Sequence, residues 1–300
     1  GGGGDDAAAR PDQGATAEQA ALAAAAEREG RTYRTIFKQG DDMRQDQLIM
    51  QLIRLMDHQF KQVKLDLCLT PYRVLSTSTD SGCMEMVLGS RAVSWVLSTY
   101  SGDILRYFQE SHPGSDPDFK VAPRVMDTYV KSCAGYAVVT YLLGIGDRHL
   151  DNILLKPDGH MFHIDFGYIL GADPKPYPAP IRLTKEMIEA MGGPGSPYFR
   201  KHQKPSPHYR KFQKLCCQAY NIMRKSASLV LNRLSLMRDA RLESLSEDPD
   251  TTLARLQERF RLDLTDEEAE QSFLQLVDDS VKRFMPVLME QFHKLAVAMR

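Results

Sequence analysis

One segment of the sequence, residues 144–167, carries side chains of the kind that phosphoryl transfer requires. Its first polar part is Gly146-Asp147-Arg148-His149-Leu150-Asp151-Asn152, and its second is Asp165-Phe166-Gly167. A protein that transfers phosphate from ATP needs oxygen ligands for magnesium, a cation for the phosphates and a group that takes up the hydroxyl proton. The segment therefore predicts the catalytic part of a Mg-ATP-dependent phosphotransferase.

Each polar side chain of this segment has a predicted role. Asn152 and Asp165 offer hard oxygen ligands that suit Mg²⁺, with Mn²⁺ as an alternative ion. His149 is the candidate proton acceptor, and Asp147 either orients it or acts beside it. Arg148 either holds the loop or contacts phosphate.

Two apolar strands are expected to bring the metal ligands together. Residues 153–155 and 161–164 have strand composition, and Lys156-Pro157-Asp158-Gly159 between them is a turn sequence. Because a hairpin returns the chain to its start, we expect Asn152 and Asp165 to face one point in space.

A lysine and an acid upstream complete the predicted site. Lys38 ends a predicted strand over residues 33–38, where a lysine for the α- and β-phosphates of ATP is expected. Asp46 lies on the next element, a predicted helix over residues 45–60 with apolar residues at three- and four-residue steps. We expect Asp46 to position Lys38.

The remaining pattern predicts an α+β chain that becomes mostly helical. Further strands are predicted over residues 72–76 and 84–88, a helical stretch within 93–108 and a helix over 127–143. Residues 111–123 are a predicted loop, and residues 173–180 and 192–207 are polar stretches that contain proline. Thr265 and Glu268 form a candidate capping box. It opens a helix whose apolar stripe is Phe273, Val277, Val281, Phe284, Leu288, Phe292 and Leu295. Residues 1–30 are rich in glycine and alanine, which predicts a disordered or weakly helical tail.

Composition narrows the class of protein. Of 300 residues, 43% are hydrophobic and 26% charged, and the net charge is −1. Such a chain has no overall field that would attract nucleic acid, so no nucleic-acid partner is expected. The five cysteines show no Cys-x-x-Cys spacing, which argues against a zinc site or a disulfide framework and fits a reducing compartment. No apolar run reaches the length of a membrane span, and no signal peptide is visible.

Three stretches resemble the phosphatidylinositol 3-/4-kinase superfamily. They are residues 36–46 (Ile-Phe-Lys-Gln-Gly-Asp-Asp-Met-Arg-Gln-Asp), residues 146–152 and residues 163–168 (His-Ile-Asp-Phe-Gly-Tyr). The order Asp-Arg-His, the reverse of that in ordinary protein kinases, marks this branch. Residues 125–136 and 168–176 resemble the class III phosphatidylinositol 3-kinase, and the resemblance covers roughly residues 33–300.

The resemblance implies a two-lobed protein-kinase-like fold. Residues 31–90 would form a partial, small mixed N-lobe with the hinge, and residues 91–300 a larger, mostly helical C-lobe. The C-lobe would hold the catalytic loop, 144–152, and the activation loop, 165–185. By the same resemblance, ATP would bind with Lys38 on its phosphates and Asp46 and Tyr72 on the inner wall, while backbone at Met86 and Val87 holds adenine.

The implied reaction is transfer of the ATP γ-phosphate to the 3-hydroxyl of phosphatidylinositol. The predicted activation loop supports this substrate through its charge, since its only basic residues after Tyr168 are Lys175, Arg182 and Lys185. A headgroup that already carries extra phosphates would need more cations. These three residues are the predicted headgroup contacts, and phosphatidylinositol bisphosphate is expected to be a poor substrate.

The resemblance also implies partners and a location. A kinase-like regulatory subunit and a Beclin-type subunit would accompany the protein, which would be cytoplasmic and peripheral on endosomal and autophagic membranes.

Two features depart from the family pattern and leave alternatives open. The strands and the phosphate-covering loop expected before Tyr33 are replaced by the glycine- and alanine-rich tail, which fits a fragment, a gene-model error or a kinase without activity. Residues 195–214 form a basic insertion, either a lipid contact or a solvated surface segment. The competing functions are a related protein serine/threonine kinase and a truncated, inactive kinase that acts as a binding module; a phosphatidylinositol 4-kinase is disfavoured.

Overall fold

The computed structural model describes residues 34–240, 242–245 and 248–283. The predicted tail, 1–30, lies outside the described residues. So do Tyr33 and the last four positions of the predicted apolar stripe, from Phe284 to Leu295.

An antiparallel sheet of three strands begins the described chain. Its strands are β1 (Thr35–Gln39), β2 (Val74–Ser76) and β3 (Ser81–Glu85), in the order β1-β3-β2. The third strand begins three residues earlier than predicted, because its ladder with β1 continues to the pair Gln39 and Ser81. This strand requires glycine at position 82, because a β-carbon there would lie 2.7 Å from the Leu75 carbonyl oxygen.

The predicted amphipathic helix forms as α1 (Arg44–Gln62) and packs against β2. Its buried apolar residues recur at three- and four-residue steps, as on the inward face of a surface helix. They are Leu48, Ile49, Leu52, Ile53, Met56 and Phe60.

A second antiparallel sheet follows, with strands β4 (Arg91–Ala92), β5 (Ile153–Leu155) and β6 (Met161–His163) in the order β4-β5-β6. The strands β5 and β6 are the two arms of the predicted hairpin, and Ile153 pairs with His163. This confirms the hairpin that the sequence predicted next to the catalytic segment.

Helices make up most of the remaining chain. They are α2 (Val93–Thr99), α3 (Ile104–Ser111), α4 (Pro123–Leu142), α5 (Lys185–Ala190), α6 (Pro197–His202), α7 (Pro207–Lys225), α8 (Ala227–Ser235), α9 (Pro249–Arg259) and α10 (Asp266–Lys282). Helix α4 is buried almost all round and packs against α7 and β6, so it forms the centre of the core.

The structure adds detail to two of the predicted stretches. The helical stretch expected within 93–108 is present as two helices, α2 and α3, separated at Ser101 and Gly102, which have positive φ angles of 55° and 80°. The polar stretch over 192–207 contains α6, whose first turn is capped by the Ser196 hydroxyl, which accepts a hydrogen bond from the Phe199 N–H at 2.9 Å.

The predicted capping box is present at the start of α10. Glu268 N–H donates to the Thr265 hydroxyl, and Thr265 N–H donates to the Glu268 carboxylate at 2.9 Å. The part of the apolar stripe that is described, Phe273, Val277 and Val281, is buried. None of the helices within residues 34–283 combines the length and apolarity that crossing a bilayer requires.

The basic segment, 195–214, is mostly helical and forms α6 and the start of α7. Two of its lysines pair with acids elsewhere in the fold. Lys201 contacts Asp118 at 2.6 Å, and Lys211 contacts Asp127. These pairs attach the segment to the body of the protein.

Candidate active site

The β5–β6 hairpin brings the two predicted metal ligands to one end of its ladder. The Ile164 N–H donates to the Asn152 carbonyl at 3.0 Å, one residue beyond the last paired strand residues. Asn152 therefore lies opposite Ile164, and Asp165 is the next residue. The Asn152 side-chain amide donates to the Asp147 carbonyl at 2.9 Å, which directs its nitrogen into the loop and leaves its oxygen as the ligand atom.

Arg148 holds the predicted catalytic loop to the strand that precedes Asp165. Its guanidinium donates to the carbonyl oxygens of Gly146 at 2.6 Å, Ile164 at 2.6 Å and Asp165, and it lies over the Phe166 ring. Burial lowers the pKa of Arg148 to about 10, although Asp165 and Asp147 oppose the shift. Because its donors are directed at protein carbonyls, Arg148 holds the loop, the first of its two predicted roles.

Two aspartates next to Arg148 adopt left-handed backbone conformations: Asp147, which precedes it in sequence, and Asp165, whose carbonyl it contacts. The φ angle is 46° at Asp147 and 62° at Asp165. Aspartate adopts this conformation more readily than most residues, but it still requires support from its surroundings. The carbonyl bonds of Arg148 and the Asn152 amide supply that support.

His149 lies between two carboxylates. Its Nε2 atom is 4.0 Å from the Asp147 carboxylate, and its Nδ1 atom is 3.7 Å from that of Asp151. The Asp151 N–H also donates to Nδ1 at 3.3 Å. The ring is exposed, so an acceptor hydroxyl has access to it. The imidazole therefore lies within ion-pair distance of two carboxylates on an exposed surface of the loop.

Asp46, in the first turn of α1, contacts the backbone directly after Asp165. Its carboxylate accepts a hydrogen bond from the Phe166 N–H at 3.3 Å. Burial raises the pKa of Asp46 to about 6; the Phe166 bond and the charge of Lys38 act against this shift, whereas Asp165 adds to it. Asp46 thus ties α1 to the backbone after Asp165.

The predicted pairing of Lys38 with Asp46 is not what the structure shows. The Lys38 ammonium instead pairs with Asp41 at 2.8 Å, in a largely exposed contact. Burial lowers the pKa of Lys38, but the hydrogen bond to Asp41 and the charges of Asp41, Asp46 and Asp165 outweigh it and raise the pKa overall. Lys38 therefore experiences the negative charge of the catalytic carboxylates without contacting them.

A cleft of about 360 Å³ lies between the two sheets. Tyr72, Met86 and Val87, which the resemblance assigned to the nucleotide pocket, all line it, together with Leu154, Phe162 and Ile164. The Met86 N–H is already used by a bond to the Arg34 carbonyl at 2.8 Å, and the Val87 carbonyl accepts from the Ser90 hydroxyl at 2.7 Å.

Tyr72 forms the buried wall of this cleft. Its ring packs edge-on against Phe162 at 6.2 Å, and its hydroxyl has no hydrogen-bond partner among the described residues. Burial raises the pKa of Tyr72 well above its usual range, with a contribution from the charge of Asp46. Tyr72 therefore contributes a neutral, buried phenol to the lining of the cleft.

An ion pair that the sequence did not reveal joins the activation loop to the catalytic loop. The Asp173 carboxylate accepts from Arg182 at 2.8 Å and from the Asp147 N–H at 3.2 Å. Arg182 also donates to the Ile145 carbonyl at 2.9 Å. We call Asp173 and Arg182 the loop clamp. Gly146 allows this contact, because a β-carbon there would lie 2.1 Å from the Ala172 carbonyl oxygen.

The three predicted headgroup cations have different surroundings in the structure. Arg182 is largely buried, and its guanidinium donates to Asp173 and the Ile145 carbonyl. Lys185 lies at the start of α5 with its ammonium 3.9 Å from Glu189. Lys175 is exposed, and among the described residues its side chain has no acidic partner. Asp173 was recognisable in the sequence only as a charge that offsets the loop cations, because nothing in its spacing points to Arg182.

Comparison with known proteins identifies relatives along most of the chain. Residues 32–246 match the family described as phosphatidylinositol 3- and 4-kinase. The phosphatidylinositol 3-kinase VPS34 of Arabidopsis thaliana is 47% identical over 268 residues, which cover 89% of this chain and 31% of the relative. The protein of the same name in Saccharomyces cerevisiae is 44% identical over 264 residues, covering 88% of this chain and 29% of the relative.

A third relative, the phosphatidylinositol 3-kinase pik3 of Schizosaccharomyces pombe, is 43% identical over 275 residues, which cover 91% of this chain and 33% of the relative. The chain thus spans about a third of the length of these curated relatives.

Proposed function

The chain belongs to the phosphatidylinositol 3- and 4-kinase family, and we propose that it transfers the γ-phosphate of ATP to the 3-hydroxyl of phosphatidylinositol. The observation that carries the proposal is the β5–β6 hairpin, which brings Asn152, Asp165 and the loop with His149 to one end of the ladder. The relatives named phosphatidylinositol 3-kinase support the choice of acceptor.

The nucleotide fits the cleft between the two sheets. Adenine would lie among the apolar residues Leu154, Phe162 and Ile164, next to the backbone of Met86 and Val87. The phosphates would extend towards Lys38, whose flexible ammonium can move from the exposed Asp41 to a phosphate. The sheet β1–β3 with α1 would belong to the small lobe, residues 31–90, and the rest of the chain, residues 91–300, to the large lobe.

The donor set fits a divalent ion. Asn152 and Asp165 offer one amide oxygen and one carboxylate, both hard ligands that suit Mg²⁺ or Mn²⁺. When bound, such an ion neutralises charge on the β- and γ-phosphates. Within the described residues no group of three or more His, Cys, Asp or Glu side chains could hold a metal by itself, so the remaining ligands would be phosphate and water.

The protein groups around the acceptor have distinct tasks. His149 takes up the proton of the attacking hydroxyl, and Asp147 orients its ring. Arg148 and the loop clamp keep these groups in place, so that the hydroxyl meets a fixed site and little ordering remains for the reactive step. Such positioning, together with charge stabilisation, accounts for most of the catalysis in phosphoryl transfer.

The exposed charge near the acceptor favours an unphosphorylated headgroup. With Arg182 held by Asp173 and Lys185 near Glu189, Lys175 is the predicted cation that remains for the lipid. One cation suits the single phosphodiester of phosphatidylinositol, whereas a bisphosphate would require more. By resemblance, the partners would be a kinase-like regulatory subunit and a Beclin-type subunit, on endosomal and autophagic membranes.

The proposal is tested by identifying the lipid product formed with labelled ATP and vesicles that contain phosphatidylinositol. We expect the 3-phosphate, and much slower turnover of phosphatidylinositol bisphosphate. Asp165→Ala should abolish turnover. Asp158→Ala is the matched control, since Asp158 lies in the turn of the same hairpin and pairs with Lys156 at 2.9 Å. Equal turnover of both lipids, or phosphorylation of a protein substrate alone, would contradict the proposal.

A further inference from the structure

A second cavity, of about 490 Å³, lies against the activation loop and shares no lining residue with the nucleotide cleft. Residues 178–180 and Arg182 form one wall, and Tyr141 at the end of α4 lies beside them. Helix α9 supplies the opposite wall with Arg255, Glu258 and Arg259. Three guanidinium groups thus surround one opening, with a single carboxylate, that of Glu258, in the lining.

Arg259 is a partly buried positive charge in this lining, without an acidic partner among the described residues. Its guanidinium is largely buried, donates to the Tyr141 carbonyl at 2.8 Å and lies over the Tyr141 ring. Its Nη2 atom faces Gly171, at 3.7 Å from where a β-carbon would begin. Within the described residues no acidic side chain lies within ion-pair distance of Arg259, and the charge of Arg182 acts on it as a second positive charge. A buried charge without a counter-charge destabilises the fold unless an anion approaches it.

Arg255 and Arg182 make the site suitable for one type of anion. Arg255 is exposed one turn before Arg259 on α9, and within the described residues it too has no acidic side chain at ion-pair distance. Arg182 keeps part of its guanidinium free, since only its Nη2 and Nε atoms are used by Asp173 and Ile145. The planar fork of arginine matches the tetrahedral oxygens of phosphate, and several such groups favour a doubly charged one.

We propose that this cavity binds a phosphate monoester, separately from the nucleotide and from the lipid that is phosphorylated. Its volume lies in the range of sites for small ligands, so a phosphate on a ring of inositol size has room. The bound phosphate contacts Arg182, and Arg182 also holds Ile145 of the catalytic loop. The site is therefore placed to stabilise the activation loop in the position seen here.

The test measures binding without turnover, so its result does not depend on the proposed lipid kinase activity. The whole chain, saturated with ADP and magnesium so that the nucleotide cleft is filled, is titrated calorimetrically with inorganic phosphate and with inositol 3-phosphate. We expect saturable binding of both. Arg255→Gln should weaken it about tenfold, as expected for the loss of one charge-assisted hydrogen bond.

The matched control is Arg233→Gln, an exposed arginine on α8 outside the lining of the cavity. It should bind phosphate as the wild type does. A second variant, Arg259→Lys, keeps the charge but removes the fork, and it should also bind more weakly if its circular dichroism matches that of the wild type. The inference is overturned if binding is not saturable, if Arg255→Gln binds like the wild type, or if both glutamine variants weaken binding equally.

A vesicle experiment identifies the source of the phosphate. Phosphatidylcholine vesicles with and without phosphatidylinositol 3-phosphate are sedimented with the wild type and with Arg255→Gln. Retention that depends on the phosphorylated lipid and falls in the variant indicates a lipid headgroup. Calorimetric binding that Arg255→Gln weakens, with retention unaffected by the lipid, indicates a soluble phosphate monoester.

Discussion

The catalytic hairpin and the strand that carries Lys38 are built in opposite ways. Around the hairpin, Arg148 donates to the carbonyls of Ile164 and Asp165, and the Asn152 amide donates to the Asp147 carbonyl. The Asp147 N–H donates to Asp173 of the loop clamp. Lys38, on β1, has one exposed ion pair with its near neighbour Asp41. The residues proposed for the metal and the acceptor hydroxyl are thus fixed in advance, whereas the lysine proposed for the nucleotide can move.

The difference follows from the position of each element in the fold. The hairpin lies between the buried helix α4 and the activation loop, so its polar groups must find partners inside the protein. Strand β1 is the edge of its sheet, pairs only with β3 among the described strands, and is mostly exposed. Groups on such a strand remain hydrated and mobile.

Removing Arg148 should have the largest effect on stability and turnover. Arg148→Met leaves three carbonyls without their donor, which should lower the free energy of unfolding by about 4 kcal/mol and abolish turnover. Urea unfolding and a kinase assay measure the two effects. Arg106→Met is the matched control. Arg106 is exposed and its ion pair with Asp103 is long, at 3.8 Å, so its loss should change the free energy of unfolding by less than about 0.5 kcal/mol. Equal losses in both variants would show that the hairpin is no more fixed than the surface.

Breaking the loop clamp should have the second-largest effect on the free energy of unfolding. Asp173→Asn and Arg182→Gln should each lower the free energy of unfolding by about 3 kcal/mol, because each leaves a largely buried charge without its partner. Turnover should fall while the KM for ATP stays nearly constant, since the clamp holds the catalytic loop and not the cleft. The double variant should lose less than the sum of the two single losses. Strict additivity in the double-mutant cycle would contradict a clamp.

The buried carboxylate of Asp46 should give a smaller effect that depends on pH. Its pKa is raised in the folded protein to about 6, so the folded state binds a proton that the unfolded state has released. Its contribution to stability is therefore full below about pH 4 and is lost as pH rises through about 6, by about 3 kcal/mol. Asp46→Asn should remove this loss while keeping an acceptor for the Phe166 N–H.

Chemical unfolding of the nucleotide-free chain at several pH values tests this prediction. The stability of Asp46→Asn relative to the wild type should increase between pH 4 and pH 7. A constant difference across that range would show that the carboxylate is not desolvated as the structure indicates.

Lys38→Met should have the smallest effect on stability and a large effect on function. Because its ion pair is exposed, the free energy of unfolding should change by less than about 0.5 kcal/mol. Loss of the cation for the phosphates should nevertheless raise the KM for ATP and lower turnover. Lys64→Met is a control, since Lys64 is exposed at the end of α1 and far along the chain from the site. A strong loss of stability in Lys38→Met would contradict the contrast drawn above.

The sequence predicted much of the local structure near the site. Apolar periodicity located α1, the turn sequence after Leu155 located the β5–β6 hairpin, and Thr265 with Glu268 located the start of α10. These features depend on neighbours within a few residues, so their signals are contained in short windows. The break between α2 and α3 also has a local signal, since Ser101-Gly102 is a turn dipeptide and both residues have positive φ angles.

Motif and spacing by themselves determined the family, the hairpin and the residues offered for metal and proton transfer, because each lies within one short stretch of chain. Only the tertiary structure decided what those residues contact. It pairs Lys38 with Asp41 instead of Asp46, turns Arg148 towards carbonyls, and holds Arg182 against Asp173 and Ile145. The reason is that a long cationic side chain can reach several acids and carbonyls, and burial and packing, which involve distant parts of the chain, determine which of them it meets.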